Sequence, residues 1–280
     1  MSVDFKMISG ADVEKGIAAG FKVMAEVGMD IHNERALSLL KEAGCEVDGV
    51  RVRIPRCIVE KAIKTAPSIV DVYTREGELA MSLGKRNTYF GPGPTCPNFL
   101  DPITGERRLA KKSDAADTAK AVDALTNIDF AMSLCVIGDE TKTLADVHEI
   151  HAMVQNTVKP LVSWSFSEEN LQDMIDMCAV VAGSKEELRK KPFLVVYCEP
   201  TTPLTHTKEA LDKMMLLNEN GVPCIYTPGM IMGGTAPITI AGALSVGLAD
   251  SLTGLVISQL VVPGAPMICG AAGGPMDMKT

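Results

Sequence analysis

Phe193-Leu194-Val195-Val196-Tyr197-Cys198-Glu199-Pro200 is the stretch whose reading decides the fold. It is a short apolar run of strand-forming residues that breaks into a phenol, a thiol, a carboxylate and a proline. A run of this length bounded by turn residues reads as a buried strand. A helical pattern follows from His206 to Asn220, and Gly221 closes it. Then a second run of the same kind appears, Cys224-Ile225-Tyr226-Thr227-Pro228-Gly229.

The rhythm repeats outward in both directions. Pro160-Leu161-Val162-Ser163-Trp164, Phe130-Ala131-Met132-Ser133-Leu134-Cys135 and Asn87-Thr88-Tyr89-Phe90-Gly91 precede the central run, and Met267-Ile268-Cys269-Gly270 comes after it. The runs at Pro160, Phe193 and Cys224 begin 33 and 31 residues apart, close to the roughly thirty residues of one (β/α) unit in a barrel. The spacing predicts an α/β fold, a (β/α)8 TIM barrel represented by about six strands over residues 87–280. Side chains at the C-terminal ends of such strands carry the chemistry, so an enzyme is expected. Six strands leave two apolar edges, which folded proteins avoid. The chain is therefore expected to be part of a longer protein.

Residues 1–86 read differently, as an α+β cap. Val13, Ile17, Phe21 and Met24 fall on one helical stripe, and Glu34 to Ala43 forms a second helix ending at Gly44. Glu46 to Pro55 reads as a hairpin through Asp48-Gly49, Arg56 to Thr65 as a helix, and Val70–Thr74 with Leu79–Leu83 as a strand pair. Within the barrel region, Asn98 to Arg108 reads as a hairpin insertion on the active face. Ser113 is the expected cap of a helix from Ala115, and Thr143 with Asp146 the expected capping pair before Val147.

Composition narrows the function. The 280 residues carry a net charge of -8 and a pI near 5.1, which leaves no basic field for nucleic acid. Eight cysteines without CxxC spacing read as reduced thiols in a cytoplasmic protein. The N-terminus has no apolar stretch of a secretory signal. Ile238 to Val262 is long and almost uncharged, yet Asp250, Gln259 and several serines and glycines interrupt it. It is read as a barrel helix buried on most sides, at a subunit contact in a homo-oligomer, rather than as a membrane span.

The residues themselves resemble a known family. Glu26-Val27-Gly28-Met29-Asp30-Ile31, Lys41 to Gly49, Val52-Arg53-Ile54-Pro55, Phe90-Gly91-Pro92-Gly93-Pro94, Asp101-Pro102, Thr104 to Arg108 and Met232 to Leu244 occur in colinear order. They resemble the trimethylamine methyltransferase superfamily. The resemblance implies a (β/α)8 barrel that moves a methyl group from a tertiary or quaternary amine, such as trimethylamine or glycine betaine, to the cobalt of a corrinoid. That corrinoid (cobalamin) would sit on a cognate partner protein and not on this chain. Some members carry pyrrolysine and others lack it, and the deciding position lies beyond Thr280.

A methylammonium ion is bulky and poor at hydrogen bonding. A site for it needs aromatic faces and a nearby carboxylate. Phe90, Trp164, Tyr197, Glu199 and Tyr226 stand at ends of the expected strands and are the candidate substrate-binding residues. The same aromatics also suit strand ends as plugs of barrel layers. No acid–base pair stands out. A rival reading takes Cys198, Glu199 and Cys269 as ligands of a catalytic zinc that activates a thiol or alcohol, and a third takes the chain as a non-catalytic scaffold. His148-Glu149-Ile150-His151 lacks the i, i+4 spacing of a zinc helix and reads as an exposed helix start. Gly91-Pro92-Gly93-Pro94 reads as a rigid rim or a closely approaching backbone. Gly229 to Thr235 reads as a turn or an anion cradle before a helix.

Overall fold

A computed structural model of the chain describes residues 7–93, 96–277 and 279. The first segment is built as expected from its patterning. Helix α1 (Gly10–Lys22) is capped by Ser9 and continues through a wider π-turn, Val23–Val27. Strands β1 (Met29–Ile31), β2 (Glu46–Asp48) and β3 (Arg51–Arg53) pair antiparallel around helix α2 (Glu34–Glu42), and helix α3 (Arg56–Thr65) follows. Two antiparallel hairpins come next, β4 (Val70–Tyr73) with β5 (Leu79–Leu83) and β6 (Asn98–Leu100) with β7 (Arg107–Leu109).

The remainder alternates strand and helix. Helix α4 (Lys112–Ala124) leads into β8 (Ala131–Met132), α5 (Ala145–Asn156), β9 (Leu161–Ser163), α6 (Glu168–Ala182), α7 (Lys185–Lys190) and β10 (Leu194–Cys198). Then come β11 (Thr205–His206), α8 (Lys208–Asn220), β12 (Cys224–Tyr226), β13 (Gly229–Met232), α9 (Ile240–Val261), β14 (Met267–Cys269) and β15 (Ala272–Pro275). Strands β8, β9, β10, β12 and β14 form one parallel sheet in chain order. Each crossover is helical, as parallel neighbours require.

The two faces of this sheet are covered differently. Leu161, Leu194, Val196, Cys198, Cys224, Tyr226 and Met267 share a buried core with Ile150, Met153, Leu171, Met174, Met214 and Val256 of the helices. Val162 and Val195 point the other way and pack with Val70, Val72 and Met81 of the β4–β5 hairpin, flanked by Met132, Ile225 and Ile268. Helices thus cover one face and a hairpin from the N-terminal segment lies over the other. The expected boundary near residue 86 is also bridged by a four-stranded sheet, because β11 pairs parallel with β1.

Helix α9 explains why this bridging is tight. It is apolar all round, and Ala243 through Gln259 are mostly buried, which is the pattern of a helix enclosed on every side. It packs against α1, α2, α3 and α8. Among the described residues α9 alone is long and apolar enough to cross a membrane, and 72% of its most apolar window is buried within this protein.

Several local expectations are corrected. Asn87–Gly91 is not a sixth strand. It lies beside the residues that lead into β8, with the Phe90 N–H donating to Asp129 Oδ2 at 2.7 Å and the Asp129 N–H to the Phe90 carbonyl at 2.6 Å. Pro92 has no N–H to continue a ladder. Helix α4 begins before Ser113. The Asp114 carboxylate accepts from the Lys111 N–H at 2.7 Å and does the capping. Asp146 does not cap with Thr143. Its carboxylate instead accepts from Ser165 Oγ (2.9 Å), the Phe166 N–H (2.8 Å) and Asn170 Nδ2 (2.8 Å), fixing the loop after β9.

Candidate functional site

A cavity of about 850 Å³ lies between the hairpin-covered face of the parallel sheet, β5 and the segment 87–93. Its floor is Met132, Val162, Val195, Ile225 and Ile268, one residue from each parallel strand. The β10 alternation carries the same face forward through Tyr197 to Glu199, and that of β9 carries it to Trp164. All three side chains therefore line the cavity at the C-terminal ends of their strands.

Parity also decides what is excluded. Tyr197 pairs with Ile225 and Cys198 with Tyr226 in register. Tyr226 consequently faces the helices and is fully buried there, not in the cavity. This corrects its expected place beside Trp164 and Tyr197. Its hydroxyl lies 2.7 Å from His206 Nδ1, and the two rings are parallel at 5.9 Å. Gly254 of α9 makes room for the phenol, since a Cβ there would sit 2.3 Å from Tyr226 Cδ1. His206 Nε2 stands 3.9 Å from Asp250 Oδ1, and both residues are fully buried. Burial lowers the His206 pKa to about 3. It raises that of Asp250 to about 7. Tyr226, His206 and Asp250 form a polar knot inside the helix layer.

Phe90 is likewise outside the cavity, with 64% of its surface exposed. Tyr89 lines the cavity instead, and its hydroxyl accepts from the Ser82 N–H at 3.0 Å. The expected close approach of the Gly-Pro backbone is present. A Cβ on Gly91 would lie 2.3 Å from the Phe130 ring, and one on Gly93, at φ +131°, 2.5 Å from Met132 Sδ. Both glycines let the segment lie flat on the strand it covers. At the other turn, Gly229–Met232 forms β13 and pairs with β15, so half of the expected cradle is strand.

The electrostatics of the lining are simple. Among the described residues Glu199 is its one charged side chain, beside Trp164, Tyr89, Tyr197, Phe130 and apolar neighbours. The Tyr197 hydroxyl donates to Glu199 Oε1. Burial, then that hydrogen bond, raises the Tyr197 phenol above its ordinary range, so it stays a neutral donor. Phe166 packs edge-on to Trp164, with centroids 4.4 Å apart at 83°, a favourable aromatic geometry. Behind the indole is Glu149, whose Oε2 accepts from Trp164 Nε1 at 3.1 Å.

The metal reading meets the same alternation. Cys198 is 1% exposed on the helix side, whereas its neighbour Glu199 lines the cavity, so the two cannot share an ion. Cys224 lies against Cys198, and that contact and burial raise its thiol well above the ordinary value. Cys269 Sγ faces the Ser251 carbonyl at 3.9 Å. Among the described residues no three His, Cys, Asp or Glu side chains are grouped to hold a metal. Cys198, Cys224 and Cys269 are free thiols.

Two residues near this region carry no signal in the sequence reading, and Tyr89 takes the inward place expected of its neighbour Phe90. Glu149 was hidden in a segment read as exposed, though its own side chain is fully buried. His206 reads in sequence as a helix start and is the second residue of strand β11. The strand parity set by Val195 and Ile225 could have separated Tyr197 from Tyr226.

Comparison with known proteins gives a consistent result. A family model described as trimethylamine methyltransferase (MTTB) matches residues 3–280. The glycine betaine methyltransferase of Desulfitobacterium hafniense (strain Y51) is 27% identical over 277 residues, covering 99% of this chain and 58% of that protein. The trimethylamine methyltransferase MttB of Methanosarcina barkeri (strain Fusaro) is 31% identical over 271 residues, covering 93% of this chain and 54% of the relative. The chain thus spans just over half the length of the curated relatives it matches. Among solved structures, the Methanosarcina barkeri monomethylamine methyltransferase (MtmB) superposes with a TM-score of 0.60 at 12% identity, over 99% of this chain and 56% of that one.

Proposed function

The chain belongs to the trimethylamine methyltransferase family, and from that premise we propose that it carries part of a corrinoid-dependent amine methyltransferase. The five-stranded parallel sheet is then one arc of a (β/α)8 barrel, and residues 1–86 are its cap. The observation that carries the proposal is the convergence of Trp164, Tyr197 and the lone carboxylate Glu199 on one cavity at the C-terminal ends of the strands.

The chemistry follows from these residues. A methylated ammonium ion gives up hydration on entering an apolar cavity. The faces of Trp164 and Tyr197 attract it through the ring quadrupole, and Glu199 compensates its charge. Tyr197 holds the Glu199 carboxylate by a hydrogen bond and so keeps it in place. A quaternary amine leaves as a neutral amine and needs no proton. The methyl acceptor supplied by a corrinoid is a cobalt nucleophile. The corrinoid would be carried by a partner protein that meets the amine at the cavity mouth. The chain's own task is binding, orientation and exclusion of water. A cytoplasmic enzyme acting on a small methylated amine, trimethylamine or glycine betaine, is the reading these features support.

The test is a binding titration followed by a turnover assay. The protein should bind glycine betaine or trimethylammonium, and with a corrinoid protein of the same source it should demethylate that amine. An intact fold that binds none of them would refute the proposal.

A further inference from the structure

Glu149 is a buried carboxylate that touches the cavity wall at Trp164. It sits on α5, is fully buried, and uses both oxygens. Oε2 accepts from Trp164 Nε1 at 3.1 Å, and Oε1 accepts from the Ile137 N–H at 3.3 Å. It thereby ties three elements together: helix α5, the segment after β8 and the residue that ends β9. Among the described residues no ion pair reaches it, so its charge is balanced by hydrogen bonds alone.

We propose that Glu149 is a positioning residue for the aromatic wall: its carboxylate orients the Trp164 indole by the ring N–H and couples its own charge, through that ring, to a cation bound in the cavity. The proposal rests on the reading that the cavity takes a methylated ammonium ion. The physical argument has two parts. An indole held at its nitrogen cannot rotate away from the cavity, so the face that meets the cation is preorganised. A negative charge hydrogen-bonded at the N–H also raises the electron density of the ring, and the attraction of a cation to that ring is electrostatic.

Protonation follows by linkage. Burial raises the Glu149 pKa to about 7, against the hydrogen bonds from Trp164, Ser133 and Ile137 that stabilise the anion. The groups packed around it are mostly acidic or neutral. Asp146 lies on the same helix, and Ser133 and Cys135 lie on the segment after β8. Asp114 of α4 acts on Cys135. His148 of α5 is turned toward Lys112 and Glu140. Lys213 of α8 is engaged with the Ser165 carbonyl. A cation on Trp164 favours the ionised form of Glu149, so binding expels a proton near neutral pH. By reciprocity the cation binds more tightly as pH rises through that titration.

Trp164 is the only tryptophan in these 280 residues, and subtracting the emission of Trp164→Phe isolates its signal in the full-length protein, so it reports on Glu149 without a label. The first measurement is the emission of the full-length protein from pH 5 to 9 with no amine present. The inference expects a transition with a midpoint near 7 in the wild type and none in Glu149→Gln, whose amide oxygen can still accept from the indole. The Trp164 indole N–H proton resonance in wild-type protein, assigned by its absence from Trp164→Phe, should move with the same midpoint, which keeps the test decisive if Glu149→Gln does not fold. The second measurement is tetramethylammonium affinity at pH 6 and pH 8. It should tighten at least threefold in the wild type and be flat in Glu149→Gln. A flat emission and resonance profile, or an emission transition unchanged by Glu149→Gln, overturns the inference whatever the amine does. A Glu149-dependent transition in a protein that binds no ammonium ion at either pH overturns the proposed function instead, and with it the coupling to a cation.

Discussion

Tyr226→Phe separates the aromatic that looks like part of the site from those that line it. The substitution deletes one hydroxyl and keeps the ring, so the packing against Gly254 survives. The lost group is the partner of His206 Nδ1 at 2.7 Å. His206 is fully buried and its Nε2 has no hydrogen-bond partner. The variant therefore strands the second ring nitrogen as well. Leaving a buried polar atom unpaired costs about 1–3 kcal/mol. A domain of this size shifts its melting midpoint by roughly 2–4 °C per kcal/mol, so a loss of about 2–12 °C is expected. Amine affinity should stay within about twofold, because Tyr226 is on the opposite face of β12 from Ile225, which lines the cavity. Thermal unfolding and calorimetric titration on the same sample read both numbers. A tenfold loss of affinity at unchanged stability would refute the reasoning and return Tyr226 to the site.

Other expectations follow from the same geometry. Trp164→Ala should weaken binding of a quaternary amine by about 0.5–2 kcal/mol, measured by calorimetry, and an unchanged affinity in a folded variant would remove the aromatic wall. Glu199→Gln should cost roughly 0.7–3 kcal/mol of cation binding, the Coulomb range for charges about 6 Å apart between bulk water and an effective dielectric of 20. The loss should shrink in high salt, and an equal loss for an uncharged ligand would contradict it. Gly254→Ala should lower stability by about 1–3 kcal/mol through overpacking against Tyr226, read from urea midpoints. Glu149 has a raised pKa, so the folded state holds its proton while the unfolded chain releases it. That contribution is present below the unfolded value and is lost as pH rises to about 7. In Glu149→Gln the slope of stability against pH between about 4.5 and 7 should therefore be more positive than in the wild type, by about 1.4 kcal/mol per pH unit. Equal slopes would contradict the raised pKa.

The regular parts of the fold were legible because local rules and tertiary packing agree there. The hairpin at Asp48-Gly49, helix α3 ahead of Pro67 and the runs that became β9, β10, β12 and β14 all pair pattern with punctuation. Asn87–Gly91 looked like a strand because propensity does not register that Pro92 ends its hydrogen bonding. Trp164, Tyr197 and Glu199 were legible as strand-end residues. Phe90 and Tyr226 were misplaced because strand-end position was used without parity, and one residue of phase moves a side chain through the sheet. Glu149 was illegible for a different reason. Its meaning depends on an indole fifteen residues away, and a glutamate on a helix start ordinarily faces water. The crossing of β11 to β1 was hidden likewise, since a two-residue strand has no pattern of its own.

The central claim is that the cavity beside Trp164, Tyr197 and Glu199 takes a methylated ammonium ion because of its charge. Glycine betaine and 3,3-dimethylbutanoate have the same shape and differ in a nitrogen cation against a neutral carbon. Titrating the full-length protein with each, by calorimetry and by Trp164 emission, isolates that charge. The account predicts saturable binding of betaine or trimethylammonium, with a change in Trp164 emission, and binding of the carbon analogue at least tenfold weaker than either. Equal affinity for 3,3-dimethylbutanoate, or no binding of any ammonium ligand to folded protein, would contradict it.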